Sequence, residues 1–511
     1  MDNKIILDLV HGYISLSEDV LKVIDTASFQ RLRNIRQLTA NHLFPSTNHT
    51  RFEHSLGVMH LANKYYDAIE ENLKKKILND REDTDDKNEI DKDVDFQRKH
   101  LTYAALLHDV GHAPFSHLGE SFFDKDEIIT NLEKEIIDIN DRLLKDRKEE
   151  DKIHIELLSH EKFIKASPHE LMSCYVIIKK YAELLLNIYE HFNLEFIFRI
   201  ITGTKYKGEK PPYFNMVIEI INSSSIDVDK MDYLLRDNYM TGAVATKIDV
   251  ERIFHCLHIG DDYELNYKSN GLIAVQKIID CRDSLYLTVY NHHTVIYSDF
   301  LIEILIEHLK KIHSTENTND QIGLAGNDYF SCNAIANNLV SDVDILKKLA
   351  DVRNLTENNK GTNFTNKIIP QMFNRNYLKP LWKTISEFNT FLSSIPNQKK
   401  KNDFMKKIDN KETRKKVVKL LINKINNKDI SHGDIFIISR NNNFYSMKES
   451  VTFYIYSEKD GSKDEIEDLL PQKEFKNLFE EISFYVVCKK EIINDVKKYL
   501  IEIISTGNYS L

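Results

Sequence analysis

Glycine and proline are scarce, 15 and 9 among 511 residues, and there is one tryptophan. Such a composition excludes collagen-like and loop-dominated chains and favours helices. Cysteine is also sparse: Cys174, Cys256, Cys281, Cys332 and Cys488 are odd in number, far apart and form no C-x-x-C pair. That argues against a secreted disulfide framework and against zinc-finger ligation, and fits reduced thiols in a cytosol. No run of 18 apolar residues occurs, and the start MDNKIILDLVHGY lacks the basic and apolar regions of a signal peptide. A cytoplasmic chain with no membrane partner is therefore expected. Positive charge is in deficit too, with a net charge of -10, so any polyanion must be met by a local cluster of Lys, Arg and His.

What is present is ordinary for a globular protein, with 42% hydrophobic and 29% charged residues and length enough for more than one structural unit. From Leu16 to about Glu71, apolar residues recur at three- and four-residue intervals, which predicts amphipathic helices. Residues 80 to 95 carry nine acidic and three basic side chains, and a solvated mobile loop is expected there. LTYAALLHDVGHAPFSH reads as an apolar helix that ends near Gly111 and Pro114. In the charged stretch 124–165, Ile129, Leu132, Ile136, Ile139 and Leu143 space as the seam of a helical hairpin or coiled coil.

Helical patterning continues to about His313, broken by a Gly/Pro turn at 203–212. Then DIFIIS, VTFYIY and ISFYVVCK read as strands. The expected fold is mainly α, a helical core at 1–313 with charged insertions at about 74–98 and 124–165. A helical extension at 314–429 and a small mixed α/β lobe at 430–511 would follow. Residues 399–428 hold twelve Lys or Arg against three acids, a strip that would suit nucleic acid but reads more simply as a solvated helix face.

Three segments concentrate metal-ligand side chains within apolar helices: HTRFEHS with His54, LLHDVGHAPFSH with His108 and Asp109, and SIDVDKMDYLLRD with Asp229. Two imidazoles and two carboxylates suit Fe, Mn, Zn or Ni, and leave coordination positions open for water and a phosphate. Burying His108 beside Asp109 is costly unless a cation compensates both. His60 and His100, each isolated on an apolar helix, read as satisfied core residues.

The order H…HD…D resembles the HD superfamily of metal-dependent phosphohydrolases. Within it, DLVHGYISL, DTASFQRLRNIRQL, TRFEHSLGV, HDVGHAPFSH, IDVDKMDYLLRD and CRDSLYLTVY resemble segments of the SAM and HD domain-containing deoxynucleoside triphosphate triphosphohydrolases and their bacterial relatives. The likeness runs from about Lys4 to Leu309 and returns at LLPQKEF and VVCKK; no SAM domain is expected ahead of it. It implies cleavage of a dNTP at the α-phosphorus, giving deoxynucleoside and tripolyphosphate, with Mg2+ accompanying the triphosphate. By the same resemblance Arg51, Lys230 and Arg282 grip phosphates, and His169 transfers a proton, with His112 and His117 as its partners beside Asp229. Gln37 and Leu38 meet the sugar edge, Tyr233 and Asp237 line it, and Tyr290 closes against the 2′ carbon. Tyr286 departs from the family pattern, where a histidine lies near the base.

A second implied set, Lys4, Asp25, Gln30, Arg33 and Arg252 with Lys268, falls on the family's activator-nucleotide site, which would take a dNTP or GTP-type activator. Asn270 and His293 replace basic residues of that set. A homo-oligomer (dimer, tetramer or hexamer) is implied. Two other readings compete: an HD-type phosphodiesterase or nuclease acting on single-stranded nucleic acid or a cyclic nucleotide, with 399–428 as a docking strip, and a sensor that only binds a nucleotide.

Overall fold

The computed structural model describes residues 4–80, 87–208, 210–223, 226–243, 247–315, 329–357, 362–427, 429–439, 454–456, 463–465 and 482–509. The fold is mainly α, as the sequence predicts. The chain forms two compact units. The first comprises residues 1–288, 326–345 and 447–471, and the second 289–325, 346–446 and 472–511, so the division by contacts falls at 288 and not at 313.

The first unit opens with an antiparallel hairpin, β1 (Lys4–Asp8) and β2 (Gly12–Leu16), and two short helices, α1 (Glu18–Ile24) and α2 (Ala27–Gln30). Its framework is the helix pair α3 (Arg51–Asp80) and α4 (Lys87–Leu107), packed against each other. Residues 87–95 are therefore helix and not the loop expected of so acidic a stretch; residues 81–86 lie outside the description. Ile90 and Val94 explain the difference: four apart, they share a face and are buried at 3% and 2%, while the acids take the solvent side.

After the turn 108–116 and the short α5 (His117–Glu120) comes α6 (Lys125–Arg142), which packs on α8 (Pro168–Lys180). The 124–165 stretch is thus neither hairpin nor coiled coil. Ile128, Leu132, Ile136 and Ile139 bury one stripe, and the return path is made of 3-10 turns and the five-residue α7 (Glu161–Lys165). The chain goes on through α9 (Ala182–Ile188), α10 (Leu194–Thr202), α11 (Pro212–Ile221) and α12 (Val228–Thr241). Gly203, at φ 68°, caps α10 where the Gly/Pro turn was expected. α13 (Val250–His255), β3 (Leu257–Ile259), β4 (Leu265–Lys268) and α14 (Leu272–Leu285) follow.

Of the three late strands, β6 (Ile435–Ser439) and β9 (Phe484–Cys488) pair antiparallel in the second unit, with β5 (Lys379–Pro380) on the other edge of β9. β7 (Tyr454–Tyr456) instead joins the first unit, parallel to β4 and antiparallel to β8 (Lys463–Glu465). Residues 451–453 and the LLPQKEF segment lie outside the described residues. Trp382 anchors the second unit, buried against Phe388, Phe391 and Phe484, its indole N–H donating to the Phe484 carbonyl at 3.0 Å. The basic strip forms two helices, Gln398–Lys407 and Lys411–Ile425, that bury Phe404, Val417 and Leu421. Several of its lysines pair with acids, Lys407 with Asp403, Lys411 with Glu307 and Lys424 with Glu502, as a solvated helix face does.

Candidate metal centre and active site

The chemistry-bearing residues of the first unit gather at helix ends. Arg51 opens α3, with His54 one turn in; His108 and Asp109 follow the last residue of α4. Asp229 lies in the first turn of α12, where Asp227 accepts the Lys230 N–H at 2.8 Å as N-cap. His169 lies in the first turn of α8, behind a Ser167/Glu170 capping box and Pro168. Two glycines permit the close packing. A Cβ on Gly57 of α3 would sit 1.9 Å from Asp232 Oδ1 of α12, and one on Gly111 would sit 2.2 Å from the Ser173 nitrogen of α8.

His54, His108, Asp109 and Asp229 converge. His54 Nε2 is 2.9 Å from Asp229 Oδ1 and 3.6 Å from Asp109 Oδ2; His108 Nε2 is 3.6 Å from both Asp229 Oδ1 and Asp109 Oδ1. The outer ring nitrogens set the tautomers: His54 Nδ1 donates to Asp232 Oδ2 at 2.7 Å, and His108 Nδ1 to the Ala105 carbonyl at 2.8 Å. Both Nε2 lone pairs are thereby aimed at the common point. Neither buried Nε2 has a hydrogen-bond partner. Burial opposes charge on His54, yet Asp229 and Asp232 outweigh it and lift its pKa to about 9, the same demand for positive charge that a cation between Nε2 and the carboxylates would meet. Orphaned imidazole nitrogens beside two carboxylates fit a divalent transition-metal ion. The Asp229 side chain is 36% exposed against 0%, 7% and 1% for the others, so the cluster opens to solvent on that side.

Around it lies a shell of which the sequence singled out only Arg51. Asp232 takes His54, His11 Nε2 at 2.6 Å and the Arg236 guanidinium, which also reaches Asp8 at 2.9 Å. Asp109 Oδ2 accepts from Arg51 Nη1 at 2.7 Å, and Arg51 Nε donates to Ser116 Oγ at 2.9 Å. Burial alone would raise the Asp109 pKa, but Arg51, His108 and His54 hold it well below the usual carboxylate range. Ser116 and Phe115 adopt φ of 54° and 61°, a strained backbone for such residues. Asp342 clamps that turn, accepting the Phe115 N–H at 2.6 Å and the Arg36 N–H at 3.0 Å.

His112, His117 and His169 form a second group with Glu120. Glu120 Oε1 is 2.7 Å from His117 Nδ1, 3.0 Å from His169 Nδ1 and 3.6 Å from His112 Nε2. His112 and His169 stack with centroids 4.5 Å apart. Burial lowers the His169 pKa, but Glu120 overrides it and carries it up to about 9.

Other anticipated residues fall as follows. Gln37 and Leu38 are buried, and the Gln37 N–H donates to the His49 carbonyl at 3.1 Å. Asp237 is buried against His49 Nε2 at 2.8 Å. Lys230 is held by Asp227 and by the Ser223 carbonyl. Tyr233 lies in the field of Tyr286, Asp229 and Arg282, and the Arg282 guanidinium sits 4.6 Å over the Tyr286 ring. Tyr290 and His293 belong to the second unit, where Tyr290 is buried and His293 stacks on His292.

The anticipated activator residues lie at three places. Gln30 reaches the Ile24 carbonyl next to Asp25 and accepts from Arg33, while Arg252 donates to the Asn270 carbonyl two residues past Lys268. Lys4 begins β1, opposite Leu16. His100 is the core residue expected, its Nδ1 on the Phe96 carbonyl at 2.6 Å and its Nε2 accepting the Asn193 N–H at 2.8 Å. His60 is half-buried, 5.4 Å from the His11 ring.

Residues 51–237 match the HD domain family model, a span that begins at Arg51 and ends at Asp237. That segment thus carries the likeness to HD domains, and the chain is similar to deoxynucleoside triphosphate triphosphohydrolases. It is 30% identical over 301 residues to the deoxynucleoside triphosphate triphosphohydrolase SAMHD1 homolog of Dictyostelium discoideum, covering 59% of this chain and 48% of that protein. With the deoxynucleoside triphosphate triphosphohydrolase SAMHD1 of Bos taurus it shares 26% identity over 413 residues, 78% of this chain and 61% of that one. The chain spans about half the length of the first curated relatives it matches. Among solved structures, a phosphohydrolase of Bacteroides thetaiotaomicron has the same fold, with a TM-score of 0.59 and 18% identity over 95% of this chain and all of that one. Among the described residues no helix is long and apolar enough to cross a membrane.

Proposed function

We propose that this chain hydrolyses deoxynucleoside triphosphates at the α-phosphorus, releasing a deoxynucleoside and inorganic tripolyphosphate. The observation that carries the reading is the convergence of His54, His108, Asp109 and Asp229 with two orphaned Nε2 atoms, the Arg51 guanidinium lying on Asp109. The Dictyostelium and bovine relatives are deoxynucleoside triphosphate triphosphohydrolases, which supports this substrate class. His54, His108, Asp109 and Asp229 would hold a divalent cation, which would supply Lewis acidity and a more acidic water, and Mg2+ would accompany the triphosphate.

The chain's own residues do the rest. Arg51, fixed by Asp109 and Ser116, presents a guanidinium to phosphate oxygens. Lys230 exchanges Asp227 and the Ser223 carbonyl for a phosphate, and Arg282 adds charge from α14. His169, whose Nδ1 is engaged by Glu120, uses Nε2 to give a proton to the departing oxygen, with His117 and His112 completing the proton path. Tyr233 and Tyr286 wall the sugar and base side, and Gln37, Leu38 and Asp237 line it. Lys4, Asp25, Gln30, Arg33, Arg252 and Lys268 take an activating nucleotide in a homo-oligomer.

Incubating metal-replete protein with each dNTP, singly and mixed, and separating the products tests this. Tripolyphosphate with deoxynucleoside is the expected outcome; intact dNTPs alongside shortened oligonucleotides would replace the reading with a phosphodiesterase.

A further inference from the structure

The group around Glu120 has a composition that proton transfer alone does not require. Three imidazoles and one carboxylate bring their ligand atoms within 4.8 Å of one another, the donor number and chemistry of a four-coordinate zinc-type site. Calcium or magnesium would demand oxygen donors instead.

His112 points the same way. Its ring is wholly buried, yet neither nitrogen has a hydrogen-bond partner. Burial first, then Arg51, His169 and His117, hold it neutral, so that it offers a lone pair and not a charge. An unsatisfied buried polar group costs about 1–3 kcal/mol unless something takes it up. His100 supplies the contrast: equally buried, it has both ring nitrogens engaged by backbone groups. The side chain of His117 is 32% exposed, which leaves a way in from solvent.

We propose that His112, His117, Glu120 and His169 form a second site for a divalent transition-metal ion of the zinc class, separate from that of His54, His108, Asp109 and Asp229. The two sites adjoin, His112 Nε2 standing 4.0 Å from Asp109 Oδ1. A cation here competes with Glu120 for His169 Nδ1 and ties up His117 and His112, which complete the proton path in the proposed hydrolysis, so the second site is inhibitory; that consequence rests on the proposed function, while the metal count does not.

The test titrates metal-free full-length protein with Zn2+ and reads bound zinc per chain by elemental mass spectrometry after gel filtration. Wild type is expected to hold two zinc ions. Glu120→Gln, which keeps the side-chain shape, and His117→Ala, at the solvent edge, are each expected to hold one, as is Asp229→Asn, which spares this site. A single ion in folded wild type, or two in both Glu120→Gln and His117→Ala, overturns the assignment. In parallel, dNTP turnover of wild type is expected to drop at least about tenfold as the second equivalent loads; constant or rising turnover overturns the inhibitory role. Absence of turnover at every loading would refute the proposed hydrolysis and leave the zinc count standing.

Discussion

The ligand cluster and the α3–α4 helix pair are both dense in charge and treat it in opposite ways. Along the helix pair, Lys74 lies between Glu70 at 2.9 Å and Asp91 at 2.8 Å, and Arg98 reaches Asp67 at 2.6 Å as well as Glu70, all with side chains in contact with water. Around His54 and His108 the charges are buried, the carboxylates share partners, and imidazole nitrogens go without. A helix surface can shed any one of its pairs at little cost, because water replaces the partner. A buried cluster whose groups do not satisfy each other persists because something outside the chain completes it.

The sharpest way to break this contrast is Asp109→Ala. Turnover of dNTP is expected to fall by more than about three orders of magnitude, the scale seen when one member of a catalytic unit is removed. Bound metal should fall with it. Undiminished turnover in protein stripped of metal would show that the convergence of these four residues is fortuitous.

Asp342 tests the middle ground, a buried carboxylate that partners only backbone. Burial pushes its pKa up to about 6 against the opposing N–H groups of Phe115 and Arg36. The raised value penalises the ionised folded form. That penalty is absent below the ordinary aspartate value, about 3.9, and complete above about 6. Between pH 4 and pH 7 the stability difference should therefore shift by up to about 3 kcal/mol in favour of Asp342→Asn over wild type. Denaturant titrations at a series of pH values read it, and a gap that stays flat would remove Asp342 from the titrating groups.

The smallest effect belongs to the helix pair. Lys74→Ala should cost no more than about 1 kcal/mol and leave metal content unchanged, by thermal melting and elemental analysis. A loss of metal in that variant would erase the distinction between the two regions.

Much of this was legible in the sequence. Scarce Gly and Pro and the 3.6-residue periodicity predict the helices, and H…HD…D spacing brings forward four residues that the fold places together. The acidic stretch misled because composition hides two well-placed apolar residues, Ile90 and Val94, whose burial decides the matter. The strand VTFYIY was assigned by neighbourhood in sequence, whereas β7 pairs with β4, nearly two hundred residues earlier. Some supporting residues had a local signal that was passed over: Glu120 follows His117 by three, and Asp232 follows Asp229 by three and precedes Arg236 by four, spacings that share a helix face. Asp342 had none, since its link to Phe115 spans 227 positions and exists only once the chain has folded.

The hydrogen bonds that tie Arg51 to Asp109 and Ser116 have one more consequence. Ordering a long, flexible side chain at the moment a ligand arrives ordinarily subtracts about 0.5–1.5 kcal/mol from the affinity. Here the search through rotamers has ended before any anion approaches, so whatever attraction the guanidinium exerts is undiminished by the entropy of being put in place.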